Sequence, residues 1–333
     1  GADYSATSET VLEVFLKPVL QRLRSDVNLL REFITSYTAD LTAFFSGLQQ
    51  LIDTTRTHRS TYLLFVVQDL SATLYPLVIR LQLKDWLSKR GTTSDARTVQ
   101  DVIELVDLRV FKLRGTNPQA DIFRITRELS QSTADHVMTE LHNFCYRFMP
   151  DALLASRLVD EDLYRNLGLP RMLLEEEESS RAVLKLPKLE VNQLAGLNSA
   201  GLTVEHILPQ EPNFNVVAYG FDTNEEYERH KHRIGNLILL EGPLNSSCNN
   251  RTVEEKMSAA NLYLSSGLCA VRSLSAQFAG KAQGFQRQSI HARSTLLAGL
   301  VIKRWPIVEA IAAPVEAEVF NPEGESWPQE VEN

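Results

Sequence analysis

The chain has 333 residues and a formal net charge of −8, with 44% hydrophobic and 23% charged residues. That is the make-up of globular protein, long enough for about two domains. No uninterrupted apolar run reaches the roughly 18–20 residues that span a bilayer, so no membrane partner is expected. Cys145, Cys248 and Cys269 form no C-x-x-C pair, which argues against a zinc site of the usual spacing.

Residues 1–5 show no basic or strongly apolar leader, and three scattered cysteines suit a reducing compartment, so a cytoplasmic location is expected. The missing initiator Met suggests a piece of a longer protein. From about Thr10 to Leu174 apolar residues recur at three-and-four spacing, as in Val11, Val14, Phe15 and in Leu63, Val66, Val67, Leu70. This predicts an α-helical domain over 1–175. Breaks fall at Arg90–Ser94, Gly115–Pro118 and Phe148–Pro150, and Ser94-Asp95 offers a helix cap. The acidic run Glu175–Glu178 reads as a helix end or the start of a solvated linker, which we place at 176–200.

Leu202–Ile207 and Leu237–Leu240 read as strands, separated by a long polar loop from Gln210 to Arg233. Thr252 and Glu255 are spaced as a capping box at the start of a helix. A domain over 201–308 therefore begins strand, loop, strand, helix and continues in helices. The fold class is mainly α, with the two strands embedded among helices. The tail, 309–333, holds seven Glu and no Lys or Arg, and is expected to be disordered. Removing it leaves a charge near neutral. The stretch 256–308 has no acid at all, and such a basic field suits phosphate, or is simply a basic helical surface.

The residues with most chemical content are Glu205-His206, Asn236 and Asn245. Hydrolysis of a phosphodiester needs an activated water and neutralisation of developing charge. A neutral His206 suits the base, because an unperturbed imidazole has a pKa of about 6.5. Glu205 and Asn245 offer hard oxygens for Mg²⁺ or Mn²⁺. Neighbours on a regular strand face opposite ways, so Glu205 and His206 can share a site only if the strand ends there, which Pro209 permits. Asn236 would pin the loop between the strands, and Asn245 would sit at or before a helix start. Each piece has a plainer reading: a strand end, a common Gly-Asn turn, or helix-capping asparagines.

Glu205-His206-x-x-Pro209, Gly235-Asn236-Leu237-x-Leu239-Leu240, Asn245-x-x-x-x-Asn250 and Lys256 together resemble the HNH (ββα-metal, His-Me finger) nuclease domain of GmrSD/SspE-like modification-dependent restriction endonucleases. The resemblance extends through Ile290-x-x-Arg293-x-x-x-Leu297 and Trp305-Pro306. More weakly it reaches upstream to Glu104–Arg109, Thr116-Asn117 and Met172–Glu176. It implies a metal-dependent DNA endonuclease, a nickase per active site, in defence against phage or other foreign double-stranded DNA.

In that role His206, Asn236 and Asn245 would be catalytic, Glu205 and Asn245 would hold the metal, and His232, Arg233, Asn250, Lys256, Arg287 and Arg293 would be candidates to meet DNA. An N-terminal nucleotide-hydrolysing sensor domain would belong to the parent protein. A homo-oligomer would be one route to double-strand breaks. The alternative is a non-catalytic DNA-binding or assembly module that keeps the HNH scaffold.

Overall fold

The computed structural model describes residues 11–92, 97–278 and 280–307. Ser94-Asp95 and the acidic tail therefore lie outside the described residues. The architecture is mainly α, as expected, with one two-stranded sheet among the described residues. In the first half the α-helices are α1 (Lys17–Leu23), α2 (Val27–Thr55), α3 (Arg59–Tyr62), α4 (Tyr75–Leu83), α5 (Val99–Val106), α6 (Gln119–Glu128) and α7 (Ala134–Phe148). Then come α8 (Asp151–Asp160), α9 (Leu169–Val183) and α10 (Val191–Ser199), followed by β1 (Thr203–His206).

Helix starts follow side-chain caps. The Asp26 carboxylate accepts the N–H groups of Asn28 and Leu29 at 3.0 Å each and opens α2. Thr98 and Asp101 form a capping box at α5. Much of α2 is open to solvent, with Val27, Ile34, Leu41 and Phe45 exposed, and the helix meets the body near Gly47 and Leu51.

The long loop expected between the strands is not structureless. It holds a 3-10 turn at Val216–Tyr219 and helix α11 (Asn224–His230). Thr223 caps α11 by accepting the Glu226 N–H at 3.1 Å, and Tyr227 anchors it in the core. The second strand, β2 (Leu237–Leu240), pairs antiparallel with β1, with Glu205 opposite Ile238 and His206 opposite Leu237. All four β2 residues are buried, so this strand is covered on both faces. Full burial of each leucine contributes about 1.5–3 kcal/mol, and a two-stranded hairpin needs such cover to persist.

After β2 come α12 (Gly242–Cys248), α13 (Val253–Ser258), α14 (Cys269–Phe278) and α15 (Arg287–Arg304). The Thr252–Glu255 capping box opens α13 as anticipated. Helices α9 and α14 pack on β2, and α15 packs on α8 and on the Ile234–Asn236 turn. One continuous hydrophobic core runs from Leu51 to Ile307. The stretch 176–200, expected as a linker, is the second half of α9 followed by α10.

The acidic run is not solvated either, because cations both near and far along the chain pair with it. Glu175 pairs with Arg171 at 2.6 Å, Glu178 with Arg59 at 2.9 Å, and Glu176 with Arg293. Glu177 accepts the Ala270 N–H at 2.8 Å.

The upstream motif binds the end of α15 in the same way. Arg171 reaches Glu104 at 2.8 Å and lies over the buried Trp305 ring, 4.7 Å from its centre. Arg304 also reaches Glu104, at 2.7 Å, and Arg109 donates to the carbonyls of Trp305 and Met149.

The Gly-Asn turn before β2 is clamped by α15. The Gly235 N–H donates to Ser294 Oγ at 3.0 Å, and Arg293 Nη1 donates to the carbonyls of Gly235 at 2.9 Å and Leu237 at 2.7 Å. A Cβ on Gly235 would lie 1.9 Å from the Ile290 carbonyl oxygen, a backbone atom that cannot swing away. Gly235→Ala is therefore expected to cost about 3 kcal/mol or more, the upper end of overpacking. Urea unfolding of both proteins measures it, and equal midpoints would show that α15 does not press on this turn.

Candidate active site

Strand β1 ends at His206, which lets two adjacent residues serve one site. Glu205 and His206 both line a pocket of about 250 Å³ together with Asn245, Asn249 and Asn250. Pro209, Gln210 and Ser246 complete its wall. The pocket is polar and brings together Glu205, His206 and Asn245, three of the four residues on which the sequence argument turned.

Lys256 makes the strand end possible. It is fully buried, and its Nζ pairs with Glu205 Oε1 at 2.7 Å. The same ammonium donates to the His206 carbonyl at 2.6 Å and the Ile207 carbonyl at 3.4 Å. Two carbonyls that have left the sheet ladder thus regain a donor. Tyr263 donates its hydroxyl to Glu205 Oε1 at 3.4 Å. Burial pushes the Glu205 carboxyl above its ordinary range, and Lys256 pulls it part of the way back.

Asn236 is fully buried and pins the loop. Its Oδ1 accepts the Leu208 N–H at 2.8 Å, and its Nδ2 donates to the carbonyls of Leu208 at 2.9 Å and Lys231 at 2.8 Å. It does not line the pocket. Asn245 is the fourth residue of α12 rather than a residue at its start, because Pro243 begins that helix earlier. Its Nδ2 donates to Thr203 Oγ1 at 2.8 Å and the Val204 carbonyl at 3.2 Å. Anchoring the amide nitrogen leaves Oδ1 as the group free to serve the pocket.

The imidazole of His206 is buried, and its Nε2 lies 2.9 Å from Nδ1 of His232. The ring of Tyr164, from the segment between α8 and α9, covers both: its centre is 4.4 Å from His206 and 5.1 Å from His232. The Leu163 N–H ties that segment to the His232 carbonyl at 3.1 Å. Burial, with help from His232, Lys256 and Lys231, lowers the His206 pKa to about 3, so the ring is neutral near pH 7.

The expected DNA contacts divide. Asn250 lines the pocket. Lys256 and Arg293 are consumed internally, Lys256 on Glu205 and Arg293 on Glu176 and the Gly-Asn turn. Arg287 is partly exposed but pairs with Glu226. Arg233 is half-buried, 4.0 Å from Asp160. His232 faces His206. Acids from other elements thus meet Lys256, Arg287, Arg293 and Arg304 of the acid-free stretch, while Arg272, Lys281 and Lys303 stay exposed.

Tyr164, Tyr263 and the pairing of the two histidines were missed. No local pattern marks them, since each acts across a fold contact. Cys248 packs nearby, but burial and Glu205 push its thiol up to about 12, so it offers no nucleophile.

Residues 151–300 match the model of the C-terminal domain of GmrSD restriction endonucleases. Over that stretch, a little under half of the chain, the sequence is GmrSD-like. No curated protein and no solved structure matches. The GmrSD domain takes in α8 and the Tyr164 segment upstream of β1, all the pocket residues, and most of α15. The match supports a restriction-endonuclease-type nuclease role. Among the described residues no helix is long and apolar enough to cross a membrane.

Two outcomes follow from the buried charges. Lys256→Met leaves Glu205 without its cation and is expected to cost about 3–5 kcal/mol. The double variant Glu205→Gln, Lys256→Met should recover much of that loss in denaturant unfolding, and an additive double variant would refute the coupling. The depressed His206 pKa sets a pH dependence. Between its folded value of about 3 and its unfolded value near 6.5 the unfolded chain binds the extra proton, so stability falls on acidification through that window. From pH 6.5, where the unfolded imidazole is half protonated, to pH 5 the wild type should lose about 1.6 kcal/mol more than His206→Asn, the slope approaching 1.36 kcal/mol per pH unit. Parallel stability–pH curves would contradict a buried neutral His206.

Proposed function

We propose that the pocket is the active site of a metal-dependent DNA endonuclease that nicks one strand per event. The observation that carries this reading is the meeting, in one pocket, of a neutral buried imidazole, a carboxylate and an anchored amide oxygen. In it His206 is the general base. It takes a proton from the attacking water, whose oxygen bonds to phosphorus as the leaving oxygen departs. A phosphodiester anion bound nearby opposes the burial and the cations that depress His206, and so raises its basicity toward the working pH.

The donor set fits a hard divalent cation. Among the described residues no group of three His, Cys, Asp or Glu side chains could form an all-protein cage. Mg²⁺ and Mn²⁺ do not require one, since they take one or two protein oxygens and complete their shell with water and substrate phosphate. Glu205 and Asn245 supply such a pair, with Lys256 sharing the carboxylate. The cation would neutralise charge on the phosphate and on the leaving oxygen. Asn236 keeps its place as the residue that shapes the loop beneath the site.

With so many nearby cations internally paired, the pocket meets the backbone through neutral donors and acceptors, namely Gln210, Ser246, Asn249 and Asn250. The defence role, foreign double-stranded DNA as target and a sensor domain in the parent protein remain part of this proposal.

The decisive assay is relaxation of supercoiled plasmid with Mn²⁺. His206→Ala and Asn245→Ala are each expected to lose about 10²-fold or more in rate, the scale of general base catalysis, with nicked circles preceding linear product. Equal rates for wild type and His206→Ala would remove His206 as the base. DNA retention without nicking by the wild type would instead favour a binding module.

A further inference from the structure

Neutrality alone does not make His206 a base. A neutral imidazole carries one proton on one nitrogen, and only the bare nitrogen can accept another. His206 has its Nε2 committed, 2.9 Å from His232 Nδ1. Among the described residues no group donates to or accepts from its Nδ1. His206 lines the pocket and His232 does not, so the ring edge turned away from His232, which carries Nδ1, is the edge left for the pocket.

A single proton joins the two rings, and it has two possible homes. If it sits on His232 Nδ1, then His206 Nε2 is the acceptor and His206 Nδ1 carries a proton into the pocket. In that state His206 is no base. If it sits on His206 Nε2, then His206 Nδ1 is bare and His232 carries its own proton on Nε2. The second arrangement places both rings in the Nε2–H tautomer, the form a neutral histidine side chain intrinsically favours. The first forces both into the disfavoured form. The hydrogen bond of one ring nitrogen sets the state of the other.

We infer that His232 is a positioning residue that holds His206 in its Nε2–H tautomer and so presents a bare Nδ1 to the pocket. This rests on the reading of His206 as the general base. The fold secures His232 for the task from two sides. Tyr164 lies nearly parallel to its ring, at 10° and 5.1 Å between centres. The His232 carbonyl accepts the Leu163 N–H at 3.1 Å, which fixes the backbone beside the same segment. When water gives its proton to His206 Nδ1, Nε2 keeps its own and continues to donate to His232. The new positive charge is then held by a neutral acceptor rather than left unsatisfied in a buried site. His232 touches neither water nor phosphate in this scheme and acts through His206 alone.

The test pairs spectroscopy with kinetics on the wild type, His232→Ala and His232→Asn. An asparagine Oδ1 stands at the same bonded distance from Cβ as Nδ1 and accepts the same hydrogen bond. Long-range ¹H–¹⁵N spectra of histidine-labelled protein near pH 7.5, without DNA or metal, read the tautomer directly. His206→Ala assigns the signal among the seven histidines.

The expected result is the Nε2–H pattern for His206 in the wild type and in His232→Asn. His232→Ala should lose that single pattern and nick plasmid about tenfold more slowly or worse, with KM within about twofold, because a misplaced proton removes the base without removing binding. His232→Asn should return to within about threefold of the wild-type rate. An Nδ1–H pattern in the wild type, a His232→Ala rate equal to wild type, or a His232→Asn rate no better than His232→Ala would each overturn the inference. If the wild type itself does not nick, the proposed function fails, while the wild-type tautomer still decides whether His232 holds His206 as described.

Discussion

The ammonium of Lys256 lies out of solvent between the Glu205 carboxylate and the carbonyls of His206 and Ile207, and the candidate site is built around it. A strand that stops at His206 leaves backbone acceptors with no ladder partner, and a buried carboxylate beside them would be costly alone. One three-proton donor answers both needs. Because the chain can leave the sheet there, Glu205 and His206 face the same pocket although they are sequence neighbours.

Around this centre the fold uses arginines where a smaller domain would use metal clips. Arg293 joins α15 to α9 through Glu176 and to the Gly-Asn turn through three carbonyls. Arg171, Arg304 and Arg109 join the end of α15 to the helical half around Trp305. These contacts make the helices that precede β1 part of the scaffold of the site, and the match to the GmrSD C-terminal domain likewise begins upstream of β1, at α8. They also supply Tyr164, which packs on the two histidines from the helical side.

Much of this was legible locally. The hydrophobic spacing predicted a mainly α chain, the short apolar runs marked β1 and β2, and Thr252 with Glu255 marked the start of α13. Asn236 was expected to pin a loop, and its three hydrogen bonds do so. Where the reading failed, the missing information lay far along the chain. Glu175–Glu178 read as a helix end or the start of a solvated linker because two of its cations, Arg59 and Arg293, are more than a hundred residues away. Similar long-range pairings take Lys256, Arg293 and Arg304 out of a stretch that reads as basic in sequence. Helix α11 was missed within its polar loop, since Tyr227 and the cap at Thr223 give only a weak periodic signal over seven residues.

By itself, then, the sequence determined most element types and singled out Glu205, His206 and Asn245, because caps, periodicity and residue order are local or nearly local properties. Tertiary structure decided which charges remain available and which nitrogen of His206 is free. Those depend on what each ionisable or hydrogen-bonding group meets in space. An ammonium buried on a carboxylate and an imidazole facing another imidazole read the same in sequence as their solvated counterparts, and differ only once the chain has folded.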